Sequence, residues 1–276
     1  MKTRVMIAVL GLAGLAVVPA NAAQARGGCS TTLPVGSAST CTGVGPGTFI
    51  SVDGGGGCTL GFVLRGSDRA NYAETAGHCA VPIGSGTHLW RSGKGPAVRL
   101  SSPQATVAGS ATGTIVGHVL YAVQEKDSVD DRDFAVIRFD QSITPYTAVP
   151  YYGGPTGINT ATSTSPEILS LFGRAPGVGD TTPGRQLIAR DLLYREHVFA
   201  NGVAGPGDSG APVLDSQGRA VGVLLGAGGN TVSVSTTGMP GDSHEGGLVR
   251  ILRLAPALAD AGKAMRIKLT LSPGVH

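Results

Sequence analysis

Charge is what this chain has least of. Charged residues fill 14% of its 276 positions, against about 25% in ordinary proteins. The formal net charge is +3, spread without a basic run, so nothing supports nucleic-acid binding. Aromatic residues are scarce too, at 5%, and sustained helical patterns are few. In their place stand 44 glycines among β-branched residues. That mixture predicts many short strands joined by tight turns. A hydrophobic content of 41% with low net charge argues against a disordered Gly-rich chain.

Long apolar runs are missing except at the start. "MKTRVMIAVLGLAGLAVVPANAAQA" has Lys2 and Arg4, an apolar stretch from Val5 to Val18 and then small residues. This is the layout of a secretory signal peptide, expected to be cut after Ala22 or Ala25. The stretch is shorter than the roughly 20 residues a membrane span needs. A secreted, extracellular protein with no membrane contact after cleavage is therefore expected.

Only four cysteines occur, Cys29, Cys41, Cys58 and Cys79. In an exported chain they read as two disulfides with three possible pairings. There is no Cys-x-x-Cys or paired-histidine spacing, so no metal site is expected.

The organisation follows from turn residues and periodicity. Residues 1–25 are the signal peptide and 26–48 a polar lead or short pro-region. Residues 49–146 form a first β unit with strands in "CTLGFVLR", "NYAETAGHC", "GTIVGHVLYAV" and "DFAVIRF". A Gly/Pro/Thr-rich link from Thr147 opens a second unit, 147–247, with strands in "EILSLFGR", "RQLIARDLLY", "APVLD", "AVGVLLGAG" and "NTVSVST". In 248–276, Leu248, Ile251, Leu252, Leu258 and Met265 recur at helical spacing. They predict a closing helix that Pro256 kinks or interrupts, or in which it starts a second turn, followed by a strand-like tail.

Three stretches carry the chemistry. In "ETAGHC", His78 stands at a strand end beside the half-cystine Cys79, where a rigid backbone suits a general base. In "DDRDFAVIRF", Asp133 stands at a strand entrance, placed to accept the far proton of an imidazole. In "GPGDSGAPV", glycines around Ser209 free the backbone so that the Gly207 and Ser209 amides converge on one point. A buried ion pair at Asp208 would hold that shape. A second Pro-Gly-Asp-Ser ends at Ser243, but His244 and Glu245 follow it instead of glycine, so Ser209 is the expected nucleophile. The order His, Asp, Ser is that of chymotrypsin, not of subtilisin or the α/β-hydrolases.

"TAGHC", "DFAVI" and "GPGDSGAPV" together resemble the active-site motifs of the chymotrypsin-fold (trypsin-like) serine peptidases. "CTLGFV" followed by "TAGHC" is similar to the secreted bacterial branch that includes the streptogrisins. The likeness runs from about Thr48 to Met265. It implies an all-β fold of two antiparallel six-stranded barrels, an active site in the cleft between them and a C-terminal helix.

By the same resemblance His78 is the general base, Asp133 its orienting partner and Ser209 the nucleophile, with Gly207 and Ser209 as the oxyanion hole. Cys58 pairs with Cys79, leaving Cys29 with Cys41. Val203 floors the primary specificity pocket and Leu224, Leu225 and Gly226 form a wall, implying apolar or small residues before the scissile bond and not Lys or Arg. A polypeptide substrate, no cofactor and a monomer are implied. Glu74 departs from the pattern, standing where an aliphatic residue is usual. Many relatives pair the aspartate before the nucleophile with a new N-terminus. Here Arg174, Arg185, Arg190 and Arg195 are internal candidates, and processing near Ile50 is the other route. The alternative to a secreted endopeptidase is an inactive homologue that binds other proteins.

Overall fold

The computed structural model describes residues 41, 43–53, 55–93, 95–101, 112–126, 131–161, 166–175, 184–191, 196–227, 232–233 and 245–274. The predicted signal peptide, Cys29, Arg195 and Ser243 lie outside the described residues.

The first sheet is built from β1 (Phe49–Val52), β2 (Gly57–Thr59), β3 (Val63–Gly66), β4 (Asn71–Thr75), β5 (Gly86–Leu89), β6 (Ala97–Leu100), β7 (Ile115–Gln124) and β8 (Asp133–Phe139). The second contains β9 (Glu167–Phe172), β10 (Gly184–Asp191), β11 (His197–Val203), β12 (Pro212–Leu214), β13 (Ala220–Ala227), β14 (Val232–Ser233) and β15 (Glu245–Arg253). Helix α1 (Leu254–Met265) follows, and β16 (Leu269–Leu271) is the last described element. The strand pairs are all antiparallel.

In the second sheet the order β11-β10-β9-β12-β13-β15 returns on itself, because β11 also pairs with β15. This is a closed six-stranded barrel. The first sheet, ordered β16-β3-β4-β8-β7-β6-β1-β2 with β5 on β7, curls without closing its ladder. Together they form the expected two-barrel all-β architecture.

Two apolar clusters fill the barrels. Leu169, Leu171, Leu187, Val213, Leu224 and Ile251 are among those packed in the second. The other cluster is larger and crosses from the first sheet to α1 through Leu254 and Leu258. Full burial of a Leu or Ile side chain is worth about 1.5–3 kcal/mol, and the aliphatic strands supply many such residues.

The helix is shorter than its periodicity predicts. Leu248, Ile251 and Leu252 belong to β15, which is paired on one side by β11 and on the other by β13. Their helical spacing is coincidental: ladders on both flanks satisfy this backbone, and a strand needs no helical face. Pro256 then falls in the first turn of α1, where a missing amide hydrogen costs nothing. The tail that follows adds β16 to the edge of β3, with Leu269 opposite Gly66 and Leu271 opposite Leu64.

Candidate active site

His78 sits in a single 3-10 turn, Gly77–Cys79, directly after β4. That turn lies hard against β7 and β8: a side chain at position 77 would run into the Val123 carbonyl and the Phe134 amide. Glycine permits the approach, and the approach brings His78 to Asp133. Asp133 is the first residue of β8 and its side chain is 3% exposed. Its Oδ1 accepts the His78 backbone amide at 2.8 Å, and its Oδ2 lies 2.7 Å from His78 Nδ1. An ionised carboxylate only accepts, so the Nδ1 hydrogen points at Asp133 and Nε2 is left with its lone pair.

Ser209 lies in the turn between β11 and β12, with its backbone carbonyl receiving the Thr59 amide at 2.8 Å. Its hydroxyl donates to the Leu225 carbonyl at 3.4 Å, a long bond, and not to the His78 ring. Gly207 has φ +103, a value that residues with a Cβ rarely adopt. Among the described residues no hydrogen bond engages the amide of Gly207 or of Ser209.

Asp208 is fully buried. Arg185 grips it with both nitrogens, Nη1 to Oδ2 at 2.7 Å and Nη2 to Oδ1 at 2.6 Å. The amides of Ala175 and Gly205 donate to the same two oxygens, each at 2.9 Å. Of the four internal arginines, Arg185 is thus the partner. Arg174 instead stacks over Phe172 at 5.3 Å, and Arg190 is exposed on β10.

The disulfide Cys58–Cys79 joins the middle of β2 to the histidine turn. Its sulfurs and the His78 ring form the one His/Cys/Asp/Glu cluster of metal-binding size among the described residues, but sulfurs bonded to each other offer no thiolate. Cys41 is also disulfide-bonded; its expected partner, Cys29, lies outside the described residues.

The expected pocket residues separate. Leu224 is packed inside the second barrel, so only its backbone is available to line a cleft. Leu225 is nearly buried, at the bulge where β13 shifts register against β15. Val203 is half-buried at the end of β11, and Gly226 follows the bulge with φ +149.

Glu74 points into the first barrel and is fully buried. Its carboxyl lies over the bare Cα of Gly61, and its Oε1 takes the Phe62 amide. Among the described residues Oε2 has no hydrogen-bond partner. Burial pushes this carboxyl well above the usual range, opposed only by the Phe62 hydrogen bond.

Serine protease 2 of Streptomyces fradiae is 30% identical to this chain over 193 residues, covering 69% of the chain and 98% of that protein. The chain belongs to the chymotrypsin-fold serine peptidases. It is a serine endopeptidase and its substrates are polypeptides. No family model matches the peptidase. Among solved structures, the Nocardiopsis protease NAPase is 18% identical with a TM-score of 0.49, covering 83% of the peptidase and 100% of that chain. A Glu endopeptidase bound to MPD is 17% identical with a TM-score of 0.44, covering 79% and 89% respectively.

Nothing in the sequence singles out Thr59, yet it is fully buried and touches the Ser209 turn twice. A threonine after a cysteine in a short strand carries no signal of its own; the contact arises only when the two barrels meet.

Proposed function

We propose that this endopeptidase works through Ser209, His78 and Asp133, with the Gly207 and Ser209 amides as its oxyanion hole. The observation that carries the reading is the double hold of buried Asp133 on His78, through the backbone amide and through Nδ1. It fixes the ring and its tautomer, leaving Nε2 as the base. The Ser209 hydroxyl leaves the long bond to Leu225, gives its proton to Nε2 and attacks the scissile carbonyl. Charge developing on that oxygen is met by the two amides. The imidazolium returns the proton to the departing amine, and water then hydrolyses the acyl-enzyme by the same route.

Val203, in place of an acidic residue, supports a preference for apolar or small residues before the scissile bond. The N-terminal 25 residues support export, with the second disulfide running from Cys29 to Cys41. Fluorophosphonate labelling of the wild type beside Ser209→Ala and Ser243→Ala tests the nucleophile. Labelling lost only in Ser209→Ala is expected. No labelling of folded wild type would favour the inactive, protein-binding alternative.

A further inference from the structure

Thr59 stands on β2 of the first sheet, one residue after Cys58, and reaches into the loop of the other barrel. Its hydroxyl donates to the Gly207 carbonyl at 2.7 Å and accepts the Arg174 amide at 3.2 Å. A hydroxyl has one hydrogen to give, so its orientation is determined. Its backbone amide donates to the Ser209 carbonyl at 2.8 Å. Its own carbonyl receives the Thr75 hydroxyl at 2.9 Å, from the strand that leads into His78.

We infer that Thr59 is a positioning residue for catalysis, holding the oxyanion loop in its working conformation and in register with the base. This rests on the assignment of Ser209 and the two amides made above. Gly207 has no side chain to favour φ +103 over other conformations, so the peptide that follows it needs an outside latch. Arg185 holds Asp208 within the second barrel, and Thr59 holds the carbonyls on either side from the first. Three consecutive residues are thereby pinned from opposite directions. The latch is also tied to the base: Thr59 adjoins Cys58, Cys58 is bonded to Cys79, and Cys79 adjoins His78. A short path of covalent bonds and two hydrogen bonds therefore runs from the base to the nucleophile turn across the barrel interface.

The test compares Thr59→Val, which keeps the shape and loses the hydroxyl, with Thr59→Ser, which keeps the hydroxyl. Kinetics on an apolar peptide anilide and inhibition by a peptide boronate are read on protein shown to be folded by its thermal transition. Thr59 donates nothing to the oxyanion itself, so less than the loss of a direct donor is expected. In Thr59→Val kcat should fall on the order of 10- to 100-fold, with KM within about twofold and boronate affinity falling alongside kcat/KM.

Thr59→Ser should recover most of the rate. If Thr59→Val fails to fold, Thr59→Ala against Thr59→Ser makes the same comparison. Wild-type kcat in the variant lacking the hydroxyl, or equal losses in Thr59→Ser, would overturn the inference. Ser209→Ala run in parallel separates the two failures. If it stays active, the nucleophile assignment falls; if it is inactive while Thr59→Val is unimpaired, only the role of Thr59 falls.

Discussion

Arg185 and Asp208 form a two-pronged ion pair inside the second barrel, with side-chain exposures of 7% and 0%. The pair gives Asp208 an internal partner. Each Asp208 oxygen already carries two hydrogen bonds, so an incoming α-amino group would have to displace Arg185. Processing near Ile50 is disfavoured further, because residues 44–48 are themselves buried and receive the Tyr146 and Leu60 amides.

Replacing Arg185 with Met should therefore strand a buried carboxylate. A loss of about 3–5 kcal/mol is expected, together with loss of fluorophosphonate labelling. Denaturant unfolding measures the first and active-site titration the second. Unchanged activity in Arg185→Met would mean that Asp208 finds another partner.

Asp133→Asn should keep the fold and lose the chemistry. The remaining oxygen can still accept the His78 amide, but the new NH2 faces Nδ1 and demands the opposite tautomer. A fall in kcat of roughly 10⁴-fold is expected, with a melting temperature close to wild type.

Glu74 should make stability depend on pH. Its folded pKa lies above its unfolded value, so the unfolded chain releases this proton first as pH rises. Stability is full below the ordinary carboxyl range, near 4.5, and declines from there until the folded carboxyl itself ionises. Glu74→Gln removes this dependence while keeping an acceptor for the Phe62 amide. Its stability relative to wild type should grow as pH is raised from about 4 to 8, read by urea unfolding at each pH. A constant difference would show that Glu74 titrates alike in both states.

Replacing Cys58 and Cys79 with serine opens a loop of 21 residues. The chain-entropy argument gives a cost of roughly 3 kcal/mol. Activity should fall by more than stability explains, because the same bridge ties the histidine turn to the strand bearing Thr59. Activity measured under conditions where the variant remains fully folded separates the two effects.

Much of the candidate site was legible because its elements are local. His78 before a half-cystine, Asp133 at the head of an apolar strand and Ser209 among glycines each announce themselves within a few residues. What was not legible depends on distant partners. Which arginine meets Asp208 is decided by how β10 lies behind the Ser209 turn, and no spacing distinguishes Arg185 from Arg174. Leu224 looked like a pocket wall by motif position, yet its side chain points into the barrel core. Leu248, Ile251 and Leu252 share helical spacing but no common face: on the doubly paired β15, Ile251 and Leu252 are buried while Leu248 is exposed. Thr59 gains its importance only through contacts 148 residues away.

The tail strand β16 pairs with β3, although some two hundred residues separate them, as the bond from Thr270 to the Arg65 carbonyl illustrates. Without β16, that edge of β3 presents unpaired N–H and C=O groups, a template on which a second chain can add a strand. A polypeptide in which β16 is undocked therefore carries a longer exposed edge than the folded one, in which β16 covers β3. Docking of β16 on β3 is thus a built-in guard against self-association.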